Sequence, residues 1–114
     1  MLRKIRWRID VTGQSLRIAR AHGVRIAYGT DAGVRRHGRN ADEFELLVQF
    51  GMTPGEAIES ATVNAADLLG IADQVGTLEP GKAADLIAVD ADPLADVGVL
   101  KHVRYVMQAG QVVR

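Results

Sequence analysis

The sequence predicts an α/β fold in which helices dominate the first part and short strands the last. Residues 15–28 give a helix, a glycine and a short apolar strand in that order, which is typical of an α/β unit. From residue 75 onward, short apolar runs alternate with Pro-Gly and Ala-Gly turns, which favours strands. Hydrophobic residues make up 47% of the 114 residues, so a core can form.

The start of the chain is predicted to lead into a helix and then a strand. Residues 1–12 mix basic and apolar side chains without a clear period, which is weakly compatible with a strand. Thr12 or Ser15 is expected to cap a helix that runs to about His22 and stops at Gly23. The apolar residues 24–28 are then predicted to form a short buried strand.

A long loop and a series of short helices are predicted next. Residues 29–41 are rich in Gly and basic residues, and loops of this length often carry function. Thr53 and Glu56 form a capping box with Pro54 at the first helical position. The expected helices are Asp42–Phe50, a helix from Pro54 to about Ala61, and Thr62–Leu69, with Gly51 and Gly70 ending the first and the last.

The last 40 residues or so are predicted to form strands. The segment Glu79–Lys82 has turn chemistry, because Pro presets φ and Gly accepts a positive φ. Three short strands cannot bury both faces of a sheet alone, so they are expected to belong to a sheet that other residues complete. The predicted strands are Asp85–Asp90, Val103–Gln108 and Gln111–Val113.

Composition excludes several classes of protein. Without cysteine there is no disulfide and no thiolate metal site. No apolar stretch approaches the roughly 20 residues of a membrane span, and no apolar segment follows the basic residues 1–8 as a secretory signal would require. We therefore expect a cytoplasmic protein with no membrane partner.

Charge is distributed unevenly along the chain. Residues 1–39 carry ten Lys or Arg against two acidic residues, whereas residues 40–114 carry four against twelve. Such asymmetry can mark a nucleic-acid-binding arm. Aromatic residues are only 4% of the chain and no nucleic-acid motif accompanies the basic ones, so we expect no nucleic-acid partner. The two halves could instead attract each other, within one chain or between chains.

Asp31 is the candidate site residue with the most informative position. It follows the predicted strand in a glycine-flanked loop, and a carboxylate at the C-terminal end of a strand is where a β/α barrel performs its chemistry. Taken by itself, the position is also compatible with a carboxylate that merely caps or bends the loop. Other motifs along the chain decide between these interpretations.

Taken together, the motifs resemble the C-terminal region of the amidohydrolase superfamily. The likeness is greatest to the imidazolonepropionase-like and Xaa-Pro dipeptidase-like branch, and it covers about residues 14–114. One such motif would be weak evidence for the family, but five in the same order with compatible spacing are strong evidence. The segments that carry it are Gly29–Gly33, His37–Ala41, Gly51–Ile58, Ala61–Gly70 and Gly76–Ile87.

The resemblance implies a fold and a reaction. It implies an α/β chain that is the C-terminal fragment of a TIM-barrel metal-dependent hydrolase plus part of its small β-sandwich domain. Residues 1–74 would hold the last βα unit of the barrel with a helical extension, and residues 75–114 part of the composite sandwich. A complete barrel needs roughly 200 residues or more, which this chain cannot supply. The implied reaction is hydrolysis of C–N bonds in amides, cyclic amides or dipeptides.

The resemblance also implies roles for particular residues. Asp31 matches the aspartate that ends barrel strand eight, which binds a divalent metal and shuttles the proton of the attacking water. A bound cation lowers the pKa of its water, and a neighbouring carboxylate can carry that proton to the leaving nitrogen. His37 and Arg39 lie in the loop that would overhang the pocket, where they could meet a small amide-type substrate, as could Arg36. The alternative for these three is an ordinary exposed loop.

The other metal ligands of the family are not found in this sequence. The three histidines are His22, His37 and His102, and none forms a His-x-His pair. A catalytic zinc needs about three protein ligands, so a divalent metal, with zinc as the first choice, is expected only in a completed site. Either a partner chain or homo-oligomer completes the site of a split enzyme, or the chain is a non-catalytic remnant. We expect structural roles for His22 and His102, and a turn charge for Lys82.

Overall fold

The computed structural model describes residues 2–31 and 38–114, in which helices precede a small sheet. The helices are α1 (Leu2–Ala21), α2 (Asp42–Gln49), α3 (Pro54–Ala61) and α4 (Val63–Leu68). The strands are β1 (Leu86–Ala88), β2 (Tyr105–Gln108) and β3 (Gln111–Val112), and a 3₁₀ helix, Val97–Lys101, lies between β1 and β2.

Helix α1 corrects the prediction for the start of the chain. Residues 2–12 are helical rather than extended, and the helix passes through Thr12 and Ser15 without a break. The Ser15 hydroxyl donates to the Val11 carbonyl at 2.9 Å inside the helix, so Ser15 is not a cap. No helix in residues 2–31 or 38–114 is long and apolar enough to cross a membrane.

Glycines end three of the helices as predicted. Gly23, Gly51 and Gly70 all have positive φ, which glycine adopts without the steric cost of a Cβ. After α1, the Gly23 N–H donates to the Arg20 carbonyl and the Val24 N–H to the Ala19 carbonyl, both at 2.9 Å. This pair of bonds is a Schellman motif, which satisfies carbonyls at the end of the helix.

The predicted capping box at α3 is confirmed. The Thr53 hydroxyl accepts from the Glu56 N–H at 3.2 Å, and Glu56 Oε2 accepts from the Thr53 N–H at 2.7 Å. The same carboxylate oxygen meets Arg20 Nη2 of α1 at 2.5 Å, and Arg20 Nη1 also donates to the Gly51 carbonyl. Arg20 therefore fastens the end of α1 to the beginning of α3.

The prediction of a strand at residues 24–28 is wrong for the described structure. Residues 24–31 have no regular secondary structure, and the sheet contains only β1, β2 and β3 among the described residues. A strand exists only when a neighbouring backbone edge pairs with it, and here the segment bonds to helices α3 and α4 instead.

The predicted strands near the end of the chain are confirmed in type and are shorter than expected. They form an antiparallel sheet in the order β1-β2-β3, with Ile87 opposite Val106 and Met107 opposite Val112. Ala109 and Gly110 join β2 to β3 with φ of 50° and 77°. Positive φ at both central residues is the requirement of a type I′ hairpin turn.

The buried core is small and lies where the helices meet the 3₁₀ helix. Among the described residues, Met52, Ala57, Ala66 and Val97 are the buried hydrophobic ones, and Ser60 is buried with them. Small side chains on α3 and α4 allow close approach, and a Cβ on Gly76 would lie 2.9 Å from that of Ala66. The connection after α4 therefore packs directly onto that helix.

Candidate active site

Asp31 lies at the end of the irregular segment 24–31 and has an unusual backbone conformation. Its φ is 45°, in the left-handed region that few residues other than glycine adopt, and the residue is exposed. Such a conformation costs free energy and persists where the surrounding structure holds it, which is frequent at functional sites. The contacts of the preceding residues show what holds it here.

Two hydrogen bonds fasten the segment before Asp31 to the junction of α3 and α4. The Tyr28 N–H donates to the Ser60 carbonyl at 2.8 Å. The Asn64 side-chain amide, Nδ2, donates to the Ile26 carbonyl at 3.0 Å. The Tyr28 N–H and the Ile26 carbonyl are thus bonded to helices and not to a neighbouring strand.

Arg25 adds a second connection to the same helix. Its Nη2 donates to Asn64 Oδ1 at 3.1 Å, and its Nη1 pairs with Asp67. Arg25 and Asp67 keep 60% and 53% of their side-chain surface exposed, so their ion pair contributes little to stability. The bond from Arg25 to Asn64 is therefore the more relevant contact. It uses the oxygen of the Asn64 amide, and the nitrogen of the same amide donates to Ile26.

Tyr28 links the segment to α2 on its other side. Its ring stacks on Phe44 with centroids 4.8 Å apart and an interplanar angle of 20°. Its hydroxyl also donates to the carbonyl of Asn40, shortly before α2 begins. A stacked aromatic pair contributes about 1 kcal/mol of stability beyond the effect of the area it buries. Through this pair and its bond to Ser60, Tyr28 connects α2 to α3 three residues before Asp31.

The structure places the other predicted site residues as follows. Arg39 lies before α2 and pairs with Asp42, with Nη2 2.7 Å and Nε 2.8 Å from the same carboxylate oxygen. His37, predicted to meet the substrate, and Arg36 lie outside the described residues. His22 Nδ1 lies 2.8 Å from the Ile18 carbonyl at the end of α1, and His102 follows the 3₁₀ helix and is exposed.

Lys82 lies in a turn, as expected, and its ammonium is fully engaged there. Its Nζ donates to the Ala72 carbonyl at 2.7 Å and to the Thr77 hydroxyl at 2.6 Å, and it pairs with Glu79 Oε2 at 2.9 Å. The Thr77 hydroxyl, followed by Lys82, holds the pKa of the Glu79 carboxyl below its usual value. These contacts give Lys82 the role of a structural cation.

The donor chemistry of Asp31 fits one ligand of a divalent cation, because carboxylate oxygen binds several such ions. A catalytic zinc site needs about three protein ligands. In the part of the chain that the structure describes, no group of three or more His, Cys, Asp or Glu residues is placed to hold a metal. These residues therefore supply one candidate ligand and not a complete site.

With this geometry established, comparison with known proteins identifies the family. The sequence model described as the amidohydrolase family matches residues 4–113. The chain belongs to this family. It is a family of hydrolases, in agreement with the resemblance of the sequence motifs.

Curated relatives and solved structures support the same assignment. An imidazolonepropionase from Geobacillus kaustophilus is 43% identical over 70 residues, which are 58% of this chain and 16% of that protein. A crystal structure of a Xaa-Pro dipeptidase with bound methionine in the active site superposes with a TM-score of 0.86 and 46% identity, over 90% of this chain and 25% of that one. A crystal structure of a putative prolidase from Bifidobacterium longum superposes with a TM-score of 0.82 and 38% identity, over 89% of this chain and 26% of that one.

The chain thus spans between about a sixth and a quarter of the length of these relatives. Within that span, the sequence motifs predicted a site role for Asp31 but gave no role to the residues that bond to its segment or hold it: Arg25, Ser60 and Asn64. Asn64 stands in one of the family-like motifs, between Thr62 and Ala66. A polar amide among small apolar residues on a helix was the available signal for it.

Proposed function

We propose that this chain contributes to a metal-dependent amidohydrolase that cleaves C–N bonds of amides, cyclic amides or dipeptides. The observation that carries the proposal is the family match over residues 4–113, which includes Asp31 at the end of its fastened segment. In fold terms, residues 1–74 would belong to the last βα unit of a TIM barrel with its helical extension. Residues 75–114 would belong to a β-sandwich domain.

Asp31 is proposed as a metal ligand and as the group that moves the proton. An exposed carboxylate such as that of Asp31 can accept a proton from a water molecule and deliver it to the departing nitrogen. A divalent cation at the site, zinc in the first instance, would supply Lewis-acid chemistry. The remaining ligands would come from residues outside those described here, in the same polypeptide or in another chain.

Dipeptides ending in proline are the first substrates to test. The solved Xaa-Pro dipeptidase and the putative prolidase superpose on most of this chain at 46% and 38% identity. Cyclic amides of the imidazolonepropionase type are the second class, because the Geobacillus protein is 43% identical over 70 residues. His37 and Arg39 remain proposed contacts of the substrate, with Arg39 released from Asp42 when it binds.

The decisive variant is Asp31→Asn in the full-length protein, assayed on Xaa-Pro dipeptides and on cyclic amides. We expect kcat to fall by at least about 100-fold with little change in thermal stability, because an amide cannot accept the proton at this position. Asp90→Asn is the matched control, since Asp90 forms an exposed ion pair with Arg104. Turnover by Asp31→Asn at the rate of the parent would remove Asp31 from the mechanism.

A second candidate is a subunit whose site is completed by a partner chain. Two observations favour it: the described residues bring no three potential metal ligands together, and large apolar side chains such as Leu68, Leu69 and Leu78 are at least 70% exposed. Native mass spectrometry of the protein purified from its source reads bound metal and partner mass together. A heavier complex containing divalent ions supports an assembled hydrolase, whereas a metal-free species of the 12.3 kDa chain contradicts both candidates.

A further inference from the structure

We propose that Asn64 is a positioning residue for Asp31, a role that rests on the proposed function of Asp31. Asn64 lies on α4 and holds the main chain of the segment 24–31 at Ile26, five residues before the carboxylate. Among the described residues, its amide bonds to Arg25 and Ile26 and not to the Asp31 carboxylate. It acts by fixing the backbone from which Asp31 projects.

The two ends of the Asn64 amide have different partners, and both belong to the segment. Nδ2 donates to the Ile26 carbonyl at 3.0 Å, and Oδ1 accepts from Arg25 Nη2 at 3.1 Å. An amide has a donor end and an acceptor end, so this pair of contacts sets a single orientation of the side chain. One side chain thereby holds two consecutive residues of the segment against α4.

Among the anchors that join the segment to α3 and α4, Asn64 is the side chain whose loss should matter most. The bond from Tyr28 to Ser60 joins main-chain atoms, so a side-chain substitution leaves it in place. The Arg25–Asp67 pair is mostly exposed, and such pairs contribute little. The bond from Asn64 to Ile26 is partly buried, and a buried carbonyl that loses its donor costs more than an exposed one.

The backbone of Asp31 makes this support relevant to chemistry. A φ of 45° costs a residue with a Cβ free energy, which contacts of the surrounding structure offset. If the segment loosens, the carboxylate moves relative to whatever it binds. Misplacement of a reacting group by about 1 Å can cost roughly 100-fold in rate. The role therefore predicts an effect on the site that exceeds the effect on global stability.

The test is Asn64→Asp in the full-length protein, with any partner chain that co-purifies. This change keeps the size of the side chain and the acceptor for Arg25, and it removes the donor to Ile26. Hydrogen–deuterium exchange of residues 24–31, measured by mass spectrometry, is the first readout. We expect exchange of the Tyr28 amide, which donates to the Ser60 carbonyl, to become roughly 5- to 10-fold faster because the segment loses its bond from Asn64, with thermal stability close to that of the parent.

Titration with Co²⁺, followed by its visible absorption, is the second readout. We expect binding at least about tenfold weaker in Asn64→Asp, because the ligand Asp31 is no longer held in place. Gln74→Glu is the matched control, since it also converts a side-chain amide into a carboxylate, but at an exposed position. It should leave both readouts unchanged.

Comparison of the Asn64 and Asp31 variants separates the positioning role from the proposed function. Parent-like exchange and Co²⁺ affinity in Asn64→Asp, while Asp31→Asn weakens Co²⁺ binding, would overturn the positioning role and leave the proposed function standing. Parent-like Co²⁺ binding in Asp31→Asn would overturn both. If Asn64→Asp does not fold, Asn64→Ala is measured in the same way, and failure of both variants to fold would make Asn64 a structural residue and overturn the proposal.

Discussion

At the scale of single residues, small side chains are required where backbones approach closely. Gly13 lies in the middle of α1, where glycine is normally unfavourable by roughly 1 kcal/mol relative to alanine. It is buried, and a Cβ there would lie 2.6 Å from Cε1 of Phe50 and closer still to Cδ1. The sequence shows a glycine in a helix, but not that the ring of a residue 37 positions away lies against it.

We expect Gly13→Ala to destabilise the protein even though alanine favours the helix. Overpacking of this kind costs typically 1–3 kcal/mol, which exceeds the gain of about 1 kcal/mol in helix propensity. The free energy of unfolding, measured by urea denaturation, should fall by about 1 kcal/mol. Gln14→Ala, at an exposed position of the same helix, should change it by less than about 0.5 kcal/mol. A more stable Gly13→Ala protein would show that the helix and the ring do not meet.

At the scale of elements, the sequence predicted those helices whose ends carry their own chemistry. The capping box of Thr53 and Glu56 marks the beginning of α3. Glycines 23, 51 and 70 each end the helix before them. The start of α1 was missed because its apolar side chains follow no clear period, and Trp7, for example, is 64% exposed. Residues 24–28 were predicted as a strand because they are apolar and bounded by glycine. Strand formation, however, depends on a neighbouring edge that local sequence does not reveal.

The bridge between α1 and α3 predicts a pH dependence of stability. The Arg20 side chain, followed by the Thr53 N–H, holds the pKa of the Glu56 carboxyl below its ordinary value of 4.5. Because the folded-state pKa is lower than the unfolded one, the carboxylate stabilises the fold fully above pH 4.5. That stabilisation is lost as the pH falls through the lower, folded-state value.

Glu56→Gln tests this by keeping an oxygen for the Thr53 N–H while removing the charge. At pH 7 the variant should be less stable by under about 1 kcal/mol, since both partners are partly exposed. Denaturation curves at decreasing pH should show the difference from the parent shrinking below pH 4.5. Glu59→Gln on the same helix controls for the loss of a negative charge. A difference that stays constant down to pH 2 would exclude the ion pair as its source.

At the scale of the whole molecule, contacts join residues before the predicted boundary at residues 74 and 75 to residues after it. The Ala83 N–H donates to the Gln74 carbonyl at 2.8 Å, and Lys82 reaches the Ala72 carbonyl. Lys101 of the 3₁₀ helix meets both carboxylate oxygens of Glu45 on α2 at 2.8 Å, which raises the pKa of Lys101. Contacts at such sequence separations follow from the fold and could not be predicted from local pattern.

These contacts lead to a prediction about cooperativity. Val97 is only 4% exposed, so the 3₁₀ helix that packs on α2 contributes directly to the core. We expect Val97→Ala to lower stability by about 2 kcal/mol through the lost burial and the cavity. If the two parts unfold together, hydrogen exchange should accelerate by the same factor in α3 and in β2.

Val113→Ala is the matched control, because Val113 is 64% exposed and the same atoms are removed at little cost. Faster exchange in β2 with unchanged protection in α3 would show that residues 75–114 open independently of the helices. In that case the predicted division at residues 74 and 75 would describe two units with separate stabilities. A common acceleration would mean that the small sheet supports the helices against which Tyr28 and the Asp31 segment are held.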